Sequence, residues 1–180
     1  LFSVACFLTV HEHYYKAYIA VSKCMKLQKN EFVKVWIRGD LPKHNYFGYV
    51  YDSDSETLIL YLESHLCYDG FLCVPLRNIE KIEENESFRE QMIGMMGRDP
   101  LQPVSITIEQ NKCMLSVLRY LLDSQKTMTL QVESCQNEVL RGKIAGVQEN
   151  RVFIKSENHT DRNSVLINDI RCLTFDSYLE

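Results

Sequence analysis

Four cations stand out as the side chains that could hold an anionic ligand. Arg141 and Lys143 flank Gly142, and Arg151 and Lys155 lie on the segment that follows. On adjacent strands they would form a basic strip suited to phosphate contacts; a solvated strand face is the plain alternative. A second group is aromatic. Phe47, Tyr49 and Tyr51 occupy alternate positions, with Trp36 on a neighbouring segment, and such rings can stack bases, receive a protein partner or pack beneath other elements.

Other chemistry finds less material. His11 and His13 offer two imidazoles without a third ligand nearby, and His44, His65 and His159 stand singly, so no metal site is expected. Asp52 and Asp54 sit in a Ser-rich turn that lacks the glycine and terminal glutamate of a calcium loop, and turn chemistry accounts for them. Cys67 and Cys73 bracket Tyr68-Asp69-Gly70 with His65 as the one base in reach, but buried cysteine is the common outcome. Gly-rich phosphate loops, G-x-S-x-G elbows and H-E-x-x-H motifs are absent from the sequence. Neither an enzyme nor a cofactor is expected.

Composition sets the frame for these residues. At 46% hydrophobic and 24% charged, the 180 residues are of globular type and fit one domain or two small ones. A formal charge of −4 lacks the overall footprint of a dedicated nucleic-acid or anionic-membrane binder, yet leaves room for a local basic patch. The seven cysteines are scattered and contain no C-x-x-C pair, which points to a reducing cytosol. No run reaches the roughly 18–20 apolar residues of a membrane span. Residues 1–31 read as an N-terminal extension. Its apolar opening (LFSVACFLTV) has no preceding basic residues and runs into His11-Glu12-His13, unlike a secretory signal. Met25-Lys26-Leu27 looks like a bacterial protein start, so residues 1–24 are expected to lie outside the natural folded unit.

The elements that must position the candidate residues come in two similar series. Phe32–Arg38 and Thr127–Glu133 alternate apolar and polar residues as half-buried strands do. Each is followed by a strand pattern with an internal glycine, Gly48 or Gly142, which marks a sharp bend or close backbone approach. Polar turns at 52–56 and 148–150 lead into Thr57–Leu62 and Arg151–Lys155, and a loop precedes the closing stretches Val74–Ile82 and Val165–Leu173. The offset between the series is 94 residues at both Gly48/Gly142 and Thr57/Arg151. Between the series, Ser87 to Glu90 fits a capping box for a short helix ending near Gly97. A second helix is expected over about 109–124, with Met114, Leu115, Leu118, Leu121 and Leu122 on one face, packing across both series. The charges differ: residues 32–83 carry five basic and eight acidic side chains, residues 126–175 seven and six. An anion should prefer the second series. An aromatic face on one copy and a basic face on the other suggest that one half is docked and the other open.

Short strands with a bent glycine strand describe an Sm-like or SH3-like barrel. The stretch from Phe32 to Leu179 resembles a family of bacterial proteins with two degenerate Sm-like halves around helices. The resemblance rests on Phe47-Gly48-Tyr49-Val50, on Asp69-Gly70-Phe71 with Val74 to Ile79, and on the closing run Asn168 to Leu179. It implies a mainly β protein of two tandem small barrels, residues 32–84 and 126–180, joined by a helical connector over 85–125. It assigns no reaction. Sm-like proteins hold RNA through an Asp and Asn in one loop and an Arg-Gly pair in another. Here Asp52 and Asp54 lack a companion asparagine, Arg77-Asn78 stands for Arg-Gly, and the second half has Asn150 with Asn168-Asp169. Each half departs from the uridine-pocket pattern. The expectation is therefore a non-catalytic cytoplasmic binding or assembly module that contacts a protein partner, with Trp36, Phe47, Tyr49 and Tyr51 as the partner or packing face. The alternative is RNA binding on Arg141, Lys143, Arg151 and Lys155.

Overall fold

The computed structural model describes residues 27–38, 45–64, 67–84, 87, 89–91, 94, 105–133, 139–157 and 164–176. The chain is mainly β. The strands are β1 (Phe32–Ile37), β2 (Asn45–Ser53), β3 (Thr57–Ser64), β4 (Cys67–Pro75), β5 (Ile79–Glu84), β6 (Thr127–Val132), β7 (Val139–Gln148), β8 (Arg151–Ser156), β9 (Ser164–Leu166) and β10 (Ile170–Phe175), with helix α1 (Cys113–Ser124) between β5 and β6. All described ladders are antiparallel, and they form one sheet in the order β5-β1-β2-β3-β4-β10-β6-β7-β8-β9. Strands β1–β5 and β6–β10 thus run through the same spatial order. The β4–β10 ladder joins the two sets, and among the described residues no ladder closes either set on itself.

Correspondence between the sets extends to backbone detail. A Cβ placed on Gly48 would stand 2.4 Å from the Tyr61 carbonyl oxygen, and one on Gly142 would stand 2.2 Å from that of Lys155. Only glycine admits so close a backbone approach. The bulge after Val50 in the β2–β3 ladder recurs after Ile144 in β7–β8. A 3-10 turn precedes the final strand in both, at Leu76–Asn78 and Ile167–Asp169. The closing stretches that read as single strands are therefore each divided by a turn.

The loop expected before Val74 is instead strand β4. Phe71, Leu72, Cys73 and Val74 are all buried, so the segment lacks the apolar-polar alternation of a half-exposed strand. Cys67 and Cys73 consequently lie on one strand rather than on either side of a loop.

The two faces of the sheet exchange roles at the β4–β10 ladder. In the first set, Val33, Val35, Val50, Leu60, Leu72 and Ile82 form one core on one face. Ile59, Tyr61, Phe71 and Cys73 point the other way. Through the pairs Leu173–Cys73 and Phe175–Phe71 they continue into the core face of the second set, which includes Leu130, Leu140, Val152 and Ile154. Helix α1 covers this continuous face with Cys113, Met114, Val117, Leu118 and Leu121.

The helix begins four residues later than its apolar pattern suggests. Glu109 to Lys112 form a turn, with Asn111 at φ 57° and the Lys112 N–H on the Glu109 carbonyl. Leu115 and Leu122 are only half-buried, and Cys113 and Val117 complete the buried stripe instead. Residues 87, 89–91 and 94 are helical, within the short helix read from the capping box. Leu27 packs against the first core, and the Asn30 N–H bonds the Val50 carbonyl, so residues 27–31 belong to the folded structure. The expectations for residues 1–24, His11, His13, His44, His65, His159 and the Cys67 thiol lie outside what is described.

Candidate binding faces

The second set of strands turns its outer face to solvent, and the ladder register fixes what that face carries. Val152 and Ile154 point into the core, so Arg151, Phe153 and Lys155 point out. On β7, Leu140 and Ile144 are buried, which places Arg141 and Lys143 outward beside them. Lys143 and Lys155 are directly opposed in the β7–β8 ladder, and Thr127 flanks Lys143 on the other side. Strands β6, β7, β8 and β9 contain no aspartate or glutamate.

Structure therefore brings together three of the four sequence-selected cations and places the fourth farther along. Arg141 precedes Lys143 on the same face and pairs through Nε with the Glu157 carboxylate at 3.3 Å. Arg151 lies at the far end of β8, where its guanidinium donates to the Ser164 hydroxyl at 2.8 Å. Lys143 and Lys155 are exposed, and their side chains make no hydrogen bond or ion pair with other described residues. Opposed like charges in a ladder are mildly destabilising, so this pair is explained by neither packing nor local pairing. Phe153, which the sequence reading passed over, is the aromatic member of the same face. It is half-buried, belongs to neither core, and is opposed by Gly146, where a Cβ would come within 3.8 Å of its ring. The signal that could have found it was the spacing Arg151-x-Phe153-x-Lys155.

The aromatic face of the first set is largely engaged. Tyr49 is only 6% exposed, edge-on to Phe32 with centroids 4.9 Å apart. The Tyr51 hydroxyl receives the Ile106 N–H at 2.6 Å and donates to the Ile106 carbonyl at 3.1 Å, and its ring meets Phe71 edge-on at 5.3 Å. Tyr51 lies in the β2 bulge and joins the helix-side core instead of the other three rings. Phe47 and Trp36 are half-buried beneath lysines: the Lys34 ammonium is 4.6 Å from the Trp36 ring and 5.0 Å from the Phe47 ring, and Lys81 is 5.1 Å from Trp36.

Positions tested against the uridine-pocket pattern are occupied in the architecture. Asp54 accepts the Glu56 and Thr57 N–H groups through one oxygen and the Cys113 N–H, at the start of α1, through the other at 2.7 Å. Asp52 pairs with Lys29 at 2.6 Å, an interaction that raises the lysine's pKa. Arg77 donates to the carbonyls of Asn168 and Ile170, at 2.7 and 3.2 Å, and lies 3.4 Å from the Glu133 carboxylate. The buried Asn78 amide donates to the carbonyls of Ile170 and Arg171, and Arg171 returns a bond to the Arg38 carbonyl. This polar clamp between the two strand sets was not visible in the sequence.

Cys73 and Cys113 are poor nucleophiles. Burial pushes the Cys73 thiol well above its ordinary pKa, and its sulfur lies 3.7 Å from that of Met114. Burial first, then the Asp54 carboxylate, pushes Cys113 up too. A groove of about 510 Å³ separates residues 105–109 from the outer side of α1. Two of its charged lining residues, Glu109 and Arg119, pair with each other, and Glu109 also pairs with Lys112. Among the described residues, no three His, Cys, Asp or Glu side chains converge as a metal would require, and no helix is long and apolar enough to cross a membrane.

No protein-family model matches the chain, and neither a curated protein nor a solved structure is detectably similar to it.

Proposed function

We propose that the protein is a non-catalytic binding module, built as a tandem of two Sm-like units, that holds RNA or a comparable phosphate polymer on the outer face of β6–β8. The observation that carries this reading is the exposed Lys143–Lys155 pair, opposed in the β7–β8 ladder, with the Glu157 carboxylate on the same face occupied by Arg141 and Thr127. A polyanion would relieve the repulsion between the two ammonium groups and release its own counterions. Matched strand order, glycine approach, bulge and 3-10 turn support the tandem-unit part of the reading.

Retention on heparin tests it. The protein should bind at about 50 mM salt and elute by about 200 mM, and the K143A/K155A variant should elute earlier. Failure of the unaltered protein to bind, or identical elution of the variant, would overturn the reading.

A protein partner is the second reading, favoured by β9. This strand ends the sheet and pairs on one side only among the described residues, which leaves an edge that an extended segment can join. A stoichiometric protein that co-purifies after nuclease treatment and is lost when Leu166, whose N–H faces the open edge, is replaced by proline supports it.

A further inference from the structure

We infer that the ligand of the β6–β8 face is single-stranded nucleic acid, with Phe153 as the surface on which a base stacks. This rests on the polyanion reading above and narrows it. Alternate residues on a strand stand about 6.7 Å apart on the same face, so Arg151, Phe153 and Lys155 form a row of cation, ring and cation along β8. Lys143 stands across the ladder from Lys155, while Gly146 and Ser164, the partners of Phe153, are small.

Charge alone would accept a duplex, a sulfated sugar or a phosphate chain. An outward aromatic ring belonging to neither core is not required for any of these. It suits a strand whose bases are free to leave their own stack, because stacking on a side chain is sequence-tolerant and adds to backbone neutralisation. A base on Phe153 would place its flanking phosphates toward Arg151 on one side and the Lys143–Lys155 pair on the other. A duplex keeps its bases paired and presents phosphates alone. Phe153 also covers Gly146 within the sheet, so a useful substitution must preserve that cover while removing the aromatic face.

The test uses the full chain and fluorescence anisotropy at low salt. Labelled single strands of RNA and of DNA, each about 12 nucleotides long, are compared with duplexes of the same sequence, and heparin serves as a competitor without bases. Single strands should bind at least about tenfold more tightly than duplexes. Phe153→Leu should weaken single-strand binding about tenfold and leave heparin elution unchanged, while Phe153→Trp should retain affinity and add indole fluorescence that single strands quench and heparin does not. The tighter of the RNA and DNA arms identifies the sugar. Equal affinity for duplex and single strand, or an unaltered Phe153→Leu with normal heparin binding, overturns the stacking inference and leaves the polyanion reading intact. Loss of heparin binding by the unaltered protein removes both. Circular dichroism and thermal unfolding of Phe153→Leu establish that its fold is retained.

Discussion

Asp54 connects two elements through one carboxylate. It closes the β2–β3 turn and, across 59 positions of sequence, accepts the Cys113 N–H at the start of α1. Lys112, the residue at the helix N-cap, supplies no capping side chain, which is why the helix start was misplaced from sequence: the partner of its first amide lies on another element. Replacing Asp54 by Ala should lower stability by roughly 1–2 kcal/mol, the usual cost of a lost cap, and Asp54→Asn should recover only part of it in urea denaturation, because the amide has one acceptor oxygen where the carboxylate uses two. Glu63 presents the opposite case. It is 8% exposed, its carboxyl oxygens have no hydrogen-bond partner among the described residues, and burial raises its pKa from 4.5 to about 6. A carboxyl whose folded pKa is raised favours the fold when protonated, so stability declines as pH rises from about 4.5 through 6 and stays lower above that range. Glu63→Gln should therefore stabilise the protein at pH 7 by roughly 1–2 kcal/mol and make little difference at pH 4, as urea denaturation at the two values will show.

At the scale of elements, the bent strands β2 and β7 depend on a missing side chain. Gly48 and Gly142 each face a backbone carbonyl that cannot rotate aside as a flexible side chain would. Gly48→Ala and Gly142→Ala should each cost roughly 1–3 kcal/mol, as overpacking does, whereas Gly146→Ala, whose Cβ would make an ordinary 3.8 Å contact with Phe153, should cost less. Thermal unfolding of the three variants checks the order. The same comparison shows what was legible in the sequence. Glycines at a constant offset and alternation in β1 and β6 were readable because each signal lies within a few residues. Strand β4 was not readable, because burial on both sides erased its alternation, and Tyr51 could not be separated from Tyr49 because a bulge changes their environment without altering their spacing.

For the whole molecule, the β4–β10 ladder and the Arg77–Asn78 clamp unite the two strand sets. Asn78 is buried and donates to two carbonyls at the start of β10. Removing its amide strands those acceptors, so Asn78→Ala should destabilise by roughly 1–3 kcal/mol. Arg77→Ala, at an exposed guanidinium, should have a smaller effect. Because the core beneath helix α1 draws residues from both sets across the β4–β10 ladder, each variant should lower a single unfolding transition, which calorimetry will register. The basic face was legible as residue types but not as a site. Only the register shows that Lys143 faces Lys155, that Arg141 has an acidic partner, and that Phe153 stands among them.

Strand β10 is the latest of the ten described strands in chain order, yet it lies between β4 and β6, near the middle of the sheet. During vectorial synthesis nine strands must therefore leave the ribosome before their central neighbour arrives. Until then β4 and β6 each keep an unpaired inner edge, and exposed strand edges invite pairing with other chains. Ribosomes stalled before residue 170 should hold a protease-sensitive, aggregation-prone nascent chain, and protection should appear abruptly once residues 170–175 have cleared the exit tunnel.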